Sequence, residues 1–258
     1  MSYVNQHNFD WSITNREIVI FIPNFNRKHL IIPTLVRWQT SLPKNDWLIL
    51  VVNDGAHEDL SDLEQYNVKY FTFERDPGER NGCMIRNYII KRIQSRLLMS
   101  KDPEIILYSK DCLENTVQCR YEACRAGRAI ELMEFDVQKI LKNDDLDVFK
   151  LKHKREYPVQ TACHEGFHFC YTASTKLLRE LSGYDETFVQ GYGWEDVDIL
   201  RRLEKNSHVK LDNSICAMHI WHPRRAKFLK TVIDNGAIYQ NIVNNDLVTN
   251  EGVAWGNG

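Results

Sequence analysis

Several features are missing from this 258-residue chain, and each absence removes a class of function. None of its seven cysteines (Cys83, Cys112, Cys119, Cys124, Cys163, Cys170 and Cys216) forms a C-x-x-C pair, and their number is odd. A zinc ribbon or a disulfide framework is therefore not expected, and reduced thiols in a cytoplasm are the simple reading. No apolar run approaches the length of a membrane span, so no integral membrane segment is expected; peripheral attachment stays open. The opening "MSYVNQHNFDWS" has neither the basic n-region nor the apolar h-region of a signal peptide. Charge of one sign is lacking: Lys and Arg total 33, Asp and Glu 35, for a net charge of −2. That balance gives no general support to a polyanionic partner, although a nucleic-acid acceptor stays open. There is no internal repeat, low-complexity tract or clear linker. What remains is 43% hydrophobic and 26% charged residues, an ordinary globular composition with length enough for a sizeable core.

The order of apolar runs gives the fold class. "EIVIFIP" (Glu17 to Pro23) and "WLILVVND" (Trp47 to Asp54) are short continuous runs, as in strands buried on both faces of a parallel sheet. "LIIPTLVRWQTSL" has helical spacing, with Pro33 best placed in a first turn. "HEDLSDLEQY" reads as a helix, "VKYFTFE" as a third strand, Gly82 to Ser100 as one amphipathic helix, and Glu104 to Asp111 as a fourth strand. Asn115 to Leu141 reads as mostly helical, and "DVFKLKH" (Asp147 to His153) as a partly exposed strand. "STKLLRELSG" and "EDVDILRRLEK" read as short helices, and Ile215 to Pro223 as a strand ending in a turn. Arg225 to Asp246 reads as a helix, and the last dozen residues as a loose end. Alternation of strand and helix predicts a doubly wound α/β sheet, whose ligands sit at the carboxyl ends of the strands. The segments to inspect are then Asn24 to Arg27, Asn53 to Gly55, Arg75 to Arg80 and Ser109 to Glu114.

"VIFIPNFNR", "VVNDGAHED", "GERNGCMIRN" and "GYDETFVQGYGWEDVDILRR" resemble the signature segments of family-2 glycosyltransferases and their GT-A-fold relatives, including the galactosyltransferases with their "GWGGED" segment. "CAMHIWHP" resembles that family's late metal-ligand segment. The likeness runs over residues 17–223, in the family's order. It implies a GT-A type fold in one domain over 1–258. A Rossmann-like nucleotide-sugar-binding half at about 17–114 would be fused to an acceptor and catalytic half at about 115–224, followed by a C-terminal helix and tail at 225–258. The implied activity is a hexosyltransferase-type transfer, with inversion, from a nucleotide sugar (UDP expected) to a glycan or other acceptor hydroxyl. Oligomeric state, donor sugar and acceptor are not readable.

Residue by residue, the resemblance puts Pro23, Asn24 and Phe25 against the base, with Arg27 following on the donor side. Asp54 would accept the uracil N–H, because a carboxylate is an acceptor only; the alternative is that it caps the next helix. Arg86 and Asn87 match the family's "ARN", with Arg80 just upstream; guanidinium forks suit phosphate oxygens. A surface salt bridge is the alternative for either arginine. The family's D-x-D is incomplete after the expected fourth strand, which reads Ser109-Lys110-Asp111. Either Asp111 still binds Mn²⁺ or Mg²⁺, or Lys110 supplies the charge in its place. His219 is the better late ligand by resemblance. His222, three residues on, faces the other side of a strand unless the chain bends. In "GYGWED", Asp196 would be the base that takes the acceptor proton and Glu195 the positioning acid. Tyr184, Tyr192 and Trp194 would stack on sugar faces. The bland alternative is that the two acids only favour a helix start. The competing function is a non-catalytic nucleotide-sugar- or carbohydrate-binding relative. A nucleotidyltransferase would want a glycine-rich loop after the first strand, where "PNFNRKH" has no glycine.

Overall fold

In the computed structural model, the described residues are 5–39, 46–55, 58–76, 81–107, 123–142, 155–157, 170–188, 193–206, 209–222, 228–246, 249–250, 252 and 254–256. The first three strands are β1 (Ile18–Asn24), β2 (Trp47–Asp54) and β3 (Val68–Phe73). Val19, Ile20, Phe21 and Ile22 in β1, and Ile49, Leu50, Val51 and Val52 in β2, have no exposed surface. Side chains on both faces of these strands are covered, as in a sheet sandwiched between layers. Helix α1 (Lys28–Gln39) follows β1, and Pro33 lies in its interior and not in a first turn. Between β2 and β3 the expected helix is a short 3-10 turn, Ser61–Tyr66.

The segment expected as one helix from Gly82 to Ser100 divides into two elements. Helix α2 (Gly82–Arg92) starts at Asn81, whose side chain accepts from the Cys83 N–H. It stops at Ile93, which is extended at ψ 147°. Gln94 then donates its N–H to Thr14 Oγ1, and β4 (Leu97–Lys101) begins. All five β4 residues are buried, and β4 lies parallel to β1. Apolar residues at 89, 90, 93, 97 and 98 satisfy a helical period, yet a strand covered on both faces is apolar throughout and satisfies it equally. Lys101, fully buried at the strand end, donates Nζ to the carbonyls of Asp102 and Ile105. Burial pulls its ammonium down to about 8.

The remaining strands are β5 (Ile105–Leu107), β6 (Ala123–Leu132), β7 (Arg155–Tyr157), β8 (Cys170–Ser174) and β9 (Val209–Ile220). Nine strands among the described residues form one sheet in the order β3-β2-β1-β4-β8-β6-β9-β5, with β7 on β6. β3, β2, β1 and β4 are parallel, and β8 joins β4 antiparallel. The expected fourth strand is thus corrected: β5 is antiparallel to β9, and β4 is the strand beside β1. The stretch read as mostly helical holds β6 before helix α3 (Glu134–Lys142). Three helices complete the fold: α4 (Thr175–Glu180), α5 (Glu195–Asn206) and α6 (Phe228–Asn244). The described residues of the tail are tied to the fold. Asn250 donates to the carbonyls of Ser182 and Tyr184, while Gly256 donates its N–H to Glu186 and accepts from Arg92.

Candidate active site

The chain goes from β1 outward to β3 and then returns to β4 on the other side of β1. That reversal is a topological switch point, where ligands bind at the carboxyl ends of such strands. β1 there delivers Asn24 to Arg27, and β4 delivers Asp102-Pro103-Glu104. The latter is an acid-x-acid pair at the end of the strand beside β1, the place where the resemblance requires one. The expectation of that pair at 109–111 rests on counting the strand that begins near Glu104 as the fourth. Lys110 and Asp111, like Arg80 and Tyr192, lie outside the described residues.

Glu104 is the centre of this end of the site. Arg27 Nη1 donates to both its carboxylate oxygens, at 2.8 and 2.9 Å. His222 Nε2 stands 2.9 Å from Oε1, and His219 Nε2 stands 3.7 Å from it. His219 Nδ1 lies 3.6 Å from Glu131. The two histidines converge because β9 ends at Ile220. Ile220 donates its N–H to Glu104 O, Trp221 donates to Leu132 O, and the chain then turns, leaving the rings 5.3 Å apart. Burial disfavours charge on Glu104, but the imidazoles of His219 and His222 and the Arg27 guanidinium outweigh it. They hold the carboxyl well below the usual carboxylate range.

Glu104, His219 and His222 can each offer one ligand atom, all within 4.8 Å of one another. One carboxylate and two imidazoles suit a divalent transition ion such as manganese. The donor set fits the metal that the resemblance implies, with Glu104 as its carboxylate.

Arg86 reaches the same turn from α2. It is buried, donating to Gly82 O at 3.1 Å and to Asp102 Oδ1 at 3.3 Å, with its guanidinium 5.5 Å from the Tyr184 ring centre. Burial works against its charge, yet Tyr184, Asp102 and Glu195 raise its affinity for the proton above the usual value. The same Glu195, with burial as the larger cause, pushes the Cys83 thiol up. Glu195 is buried and Asp196 half-buried, as the first two residues of α5.

Several expected contacts are corrected. Arg86 is a buried hub with its donors turned to Asp102 and Gly82, not an open phosphate clamp. Asn24 is spent inside the protein: Nδ2 donates to Asn53 and Glu58, and Oδ1 accepts from the Arg27 N–H. Pro23 and Phe25 are half-buried. Asp54 is buried and ion-paired with Arg75, which also donates to Asn81 O at 3.0 Å. The carboxylate thus reaches a base only alongside Arg75. Asn87 is fully buried, with its amide donated to Tyr184 O and Glu186 and its carbonyl taken by the Tyr184 N–H. Tyr184 has no exposed surface and donates its hydroxyl to Tyr171 at 2.5 Å, so it presents no face to a sugar. Trp194 stacks on Tyr239 with centres 5.1 Å apart and donates Nε1 to Val232 O. Asn87→Ala would leave the Tyr184 N–H buried without this acceptor. We expect a loss of about 1–3 kcal/mol in urea unfolding, the cost of such an unmade bond.

The sequence reading names no role for Asp102 and Glu104, and Arg75 enters it only at the start of the Arg75 to Arg80 segment. The signal for the first two was "KDPE", an acid pair split by a proline that cannot extend a strand.

No protein-family model and no curated protein sequence matches the chain. Solved structures do. The mannosyltransferase PcManGT from Pyrobaculum calidifontis, in complex with GDP-Man and Mn²⁺, is 12% identical with a TM-score of 0.57 over 87% of this chain and 65% of that one. TarS from S. aureus is 15% identical with a TM-score of 0.54, over 79% of this chain and 60% of the other. Its complex with UDP-GlcNAc is 14% identical with a TM-score of 0.55, over 88% and 72%. The chain spans less than two thirds of the mannosyltransferase. At such identities the likeness is one of fold: this is a GT-A glycosyltransferase fold.

Proposed function

We propose that this chain is a metal-dependent, inverting glycosyltransferase that moves a sugar from a UDP-sugar to an acceptor hydroxyl. One observation carries the reading. Asp102-Pro103-Glu104, at the switch point of a GT-A fold, meets His219 and His222 through Glu104 and is held through Asp102 by Arg86 of α2. The nucleotide-binding half at 17–114 would supply Asp54 and Arg75 to the base, and the half at 115–224 the acid pair.

Glu104, His219 and His222 would hold the metal, which when bound neutralises charge on the departing diphosphate. Arg27 adds fixed positive charge at the same end and keeps Glu104 ionised. Asp196 accepts the acceptor hydroxyl proton while that oxygen bonds to the anomeric carbon. The bond from that carbon to the diphosphate oxygen breaks, and UDP leaves with the electron pair. Attack opposite the leaving group inverts the centre. Buried Glu195, balanced by Arg86, orients the acceptor or the donor sugar.

The test is a thermal-shift screen of UDP- and GDP-sugars with and without Mn²⁺, followed by nucleotide release. A ligand that prefers the folded state raises the melting point, by about 2.7 kcal/mol of stabilisation at 100 times Kd. We expect a manganese-dependent shift with a UDP-sugar and slow UDP release. No shift with any nucleotide sugar sinks the reading, and a shift without turnover in any acceptor mixture favours a binding protein.

A further inference from the structure

Trp194 was expected to floor the acceptor site, and the structure turns it the other way, onto α6. Gly193 and Trp194, immediately before the acid pair, both have positive φ, at 83° and 74°. A bulky residue rarely adopts that conformation, and it persists only where the surroundings over-determine it.

Those surroundings are one face of α6. Val232, Asn235, Gly236 and Tyr239 are spaced i, i+3, i+4 and i+7, so they line up along the helix. Asn235 has no exposed surface, and its Nδ2 donates to Gly193 O at 3.2 Å. Val232 O accepts from the Trp194 indole at 3.0 Å, and Tyr239 stacks on the indole. Gly236 makes room: a Cβ there would stand 3.0 Å from Trp194 Nε1 and 3.3 Å from Cε2. A Cβ at Gly193 would press on Val232 at 3.2 Å. On the other side, Trp194 O accepts the Asp198 N–H at 2.8 Å, in the first turn of α5. The turn is therefore held between two helices, and the acids follow it without an intervening residue.

We propose that α6 is the positioning element of the acid pair. Asn235 and Gly236 hold the Gly193–Trp194 turn in its left-handed form, and thereby set where Glu195 and Asp196 stand. This rests on the transfer reading, in which those acids face the reacting hydroxyl.

Gly236→Ala separates positioning from stability. Alanine gains about 1 kcal/mol over glycine in a helix interior, which offsets the cost of easing the indole aside, so melting temperature should stay within a few degrees of wild type. The added methyl moves the indole by a few tenths of an ångström. Misplacement of reacting groups by 1 Å can cost about 100-fold, so a smaller shift should lower kcat roughly 10-fold. Calorimetric affinity for UDP with Mn²⁺ should match wild type, because the proposed site is built from Asp54, Arg75, Glu104, His219 and His222 and from no residue of α6. Adding Trp194→Phe gives the methyl its space. The double variant should then return to within about threefold of the Trp194→Phe single variant, as coupled neighbours do.

Turnover is read as UDP release from the UDP-sugar that wild type cleaves fastest, with Asp196→Asn run alongside. If Asp196→Asn cleaves as fast as wild type, the reading of the acid pair falls. If Asp196→Asn is slow while Gly236→Ala keeps wild-type kcat, only the role of α6 is overturned. It is overturned too if kcat, melting temperature and UDP affinity of Gly236→Ala all fall together.

Discussion

Turnover should fall by roughly 10²–10⁴-fold in Asp196→Asn, the range spanned by a positioned general base. The amide keeps the size and polarity of the carboxylate but cannot accept the acceptor proton. UDP affinity should change little, since Asp196 opens α5 and the expected diphosphate site lies at Glu104 and Arg27. Glu195→Gln should behave differently. Glu195 is buried and its charge favours that of Arg86, so losing it weakens the support of the guanidinium that also holds Asp102. The check is kcat against calorimetric Kd for UDP in both variants. Asp196→Asn at wild-type kcat would leave this residue as a helix-start acid and nothing more.

Glu104→Ala should abolish manganese dependence. Groups that only hydrogen-bond to a metal's ligands typically contribute about 10–100-fold to affinity or activity, so removing one of three candidate ligands should cost more than about 100-fold in both. Removal also leaves the Arg27 guanidinium without its bidentate partner in a part-buried site. Stripping one charge from a buried pair costs about 3–5 kcal/mol, so the melting temperature should fall as well. Arg27→Met made together with Glu104→Ala should restore much of that stability and none of the manganese binding. Manganese affinity is measured by calorimetry on the apo protein. Unchanged affinity in Glu104→Ala would move the metal site elsewhere.

Much of the parallel half was legible in the sequence, because β1 and β2 are continuous apolar runs that end in polar residues. The resemblance pointed to the acid pair and to the two histidines, and the histidines converge on Glu104. What failed has a common physical cause. β4 is covered on both faces and follows α2 after only four residues, so its apolar pattern runs on from the helix without a break. Misplacing that strand moved the acid-x-acid turn from 102–104 to 109–111. Aromatic residues misled in a second way. Composition says that a tyrosine or tryptophan is large and half-polar, not which way it faces. Tyr184 and Trp194 both point their polar atoms into the protein, at Tyr171 and Val232. Asn87 likewise looked like a ligand contact and proved to be a clasp on the Tyr184 backbone.

The long return from β4 to β9 has a consequence for the order in which the chain is made. Glu104 and His222 are 118 residues apart, whereas Arg27 precedes Glu104 by 77. At the usual synthesis rate of about 5–20 residues per second, the histidine follows the acid after roughly 6–24 s. Throughout that interval the nascent chain already carries Arg27, and the carboxylate has a cation to rest against before β9 exists. The completed cluster can arise only once residues 219 and 222 have left the ribosome.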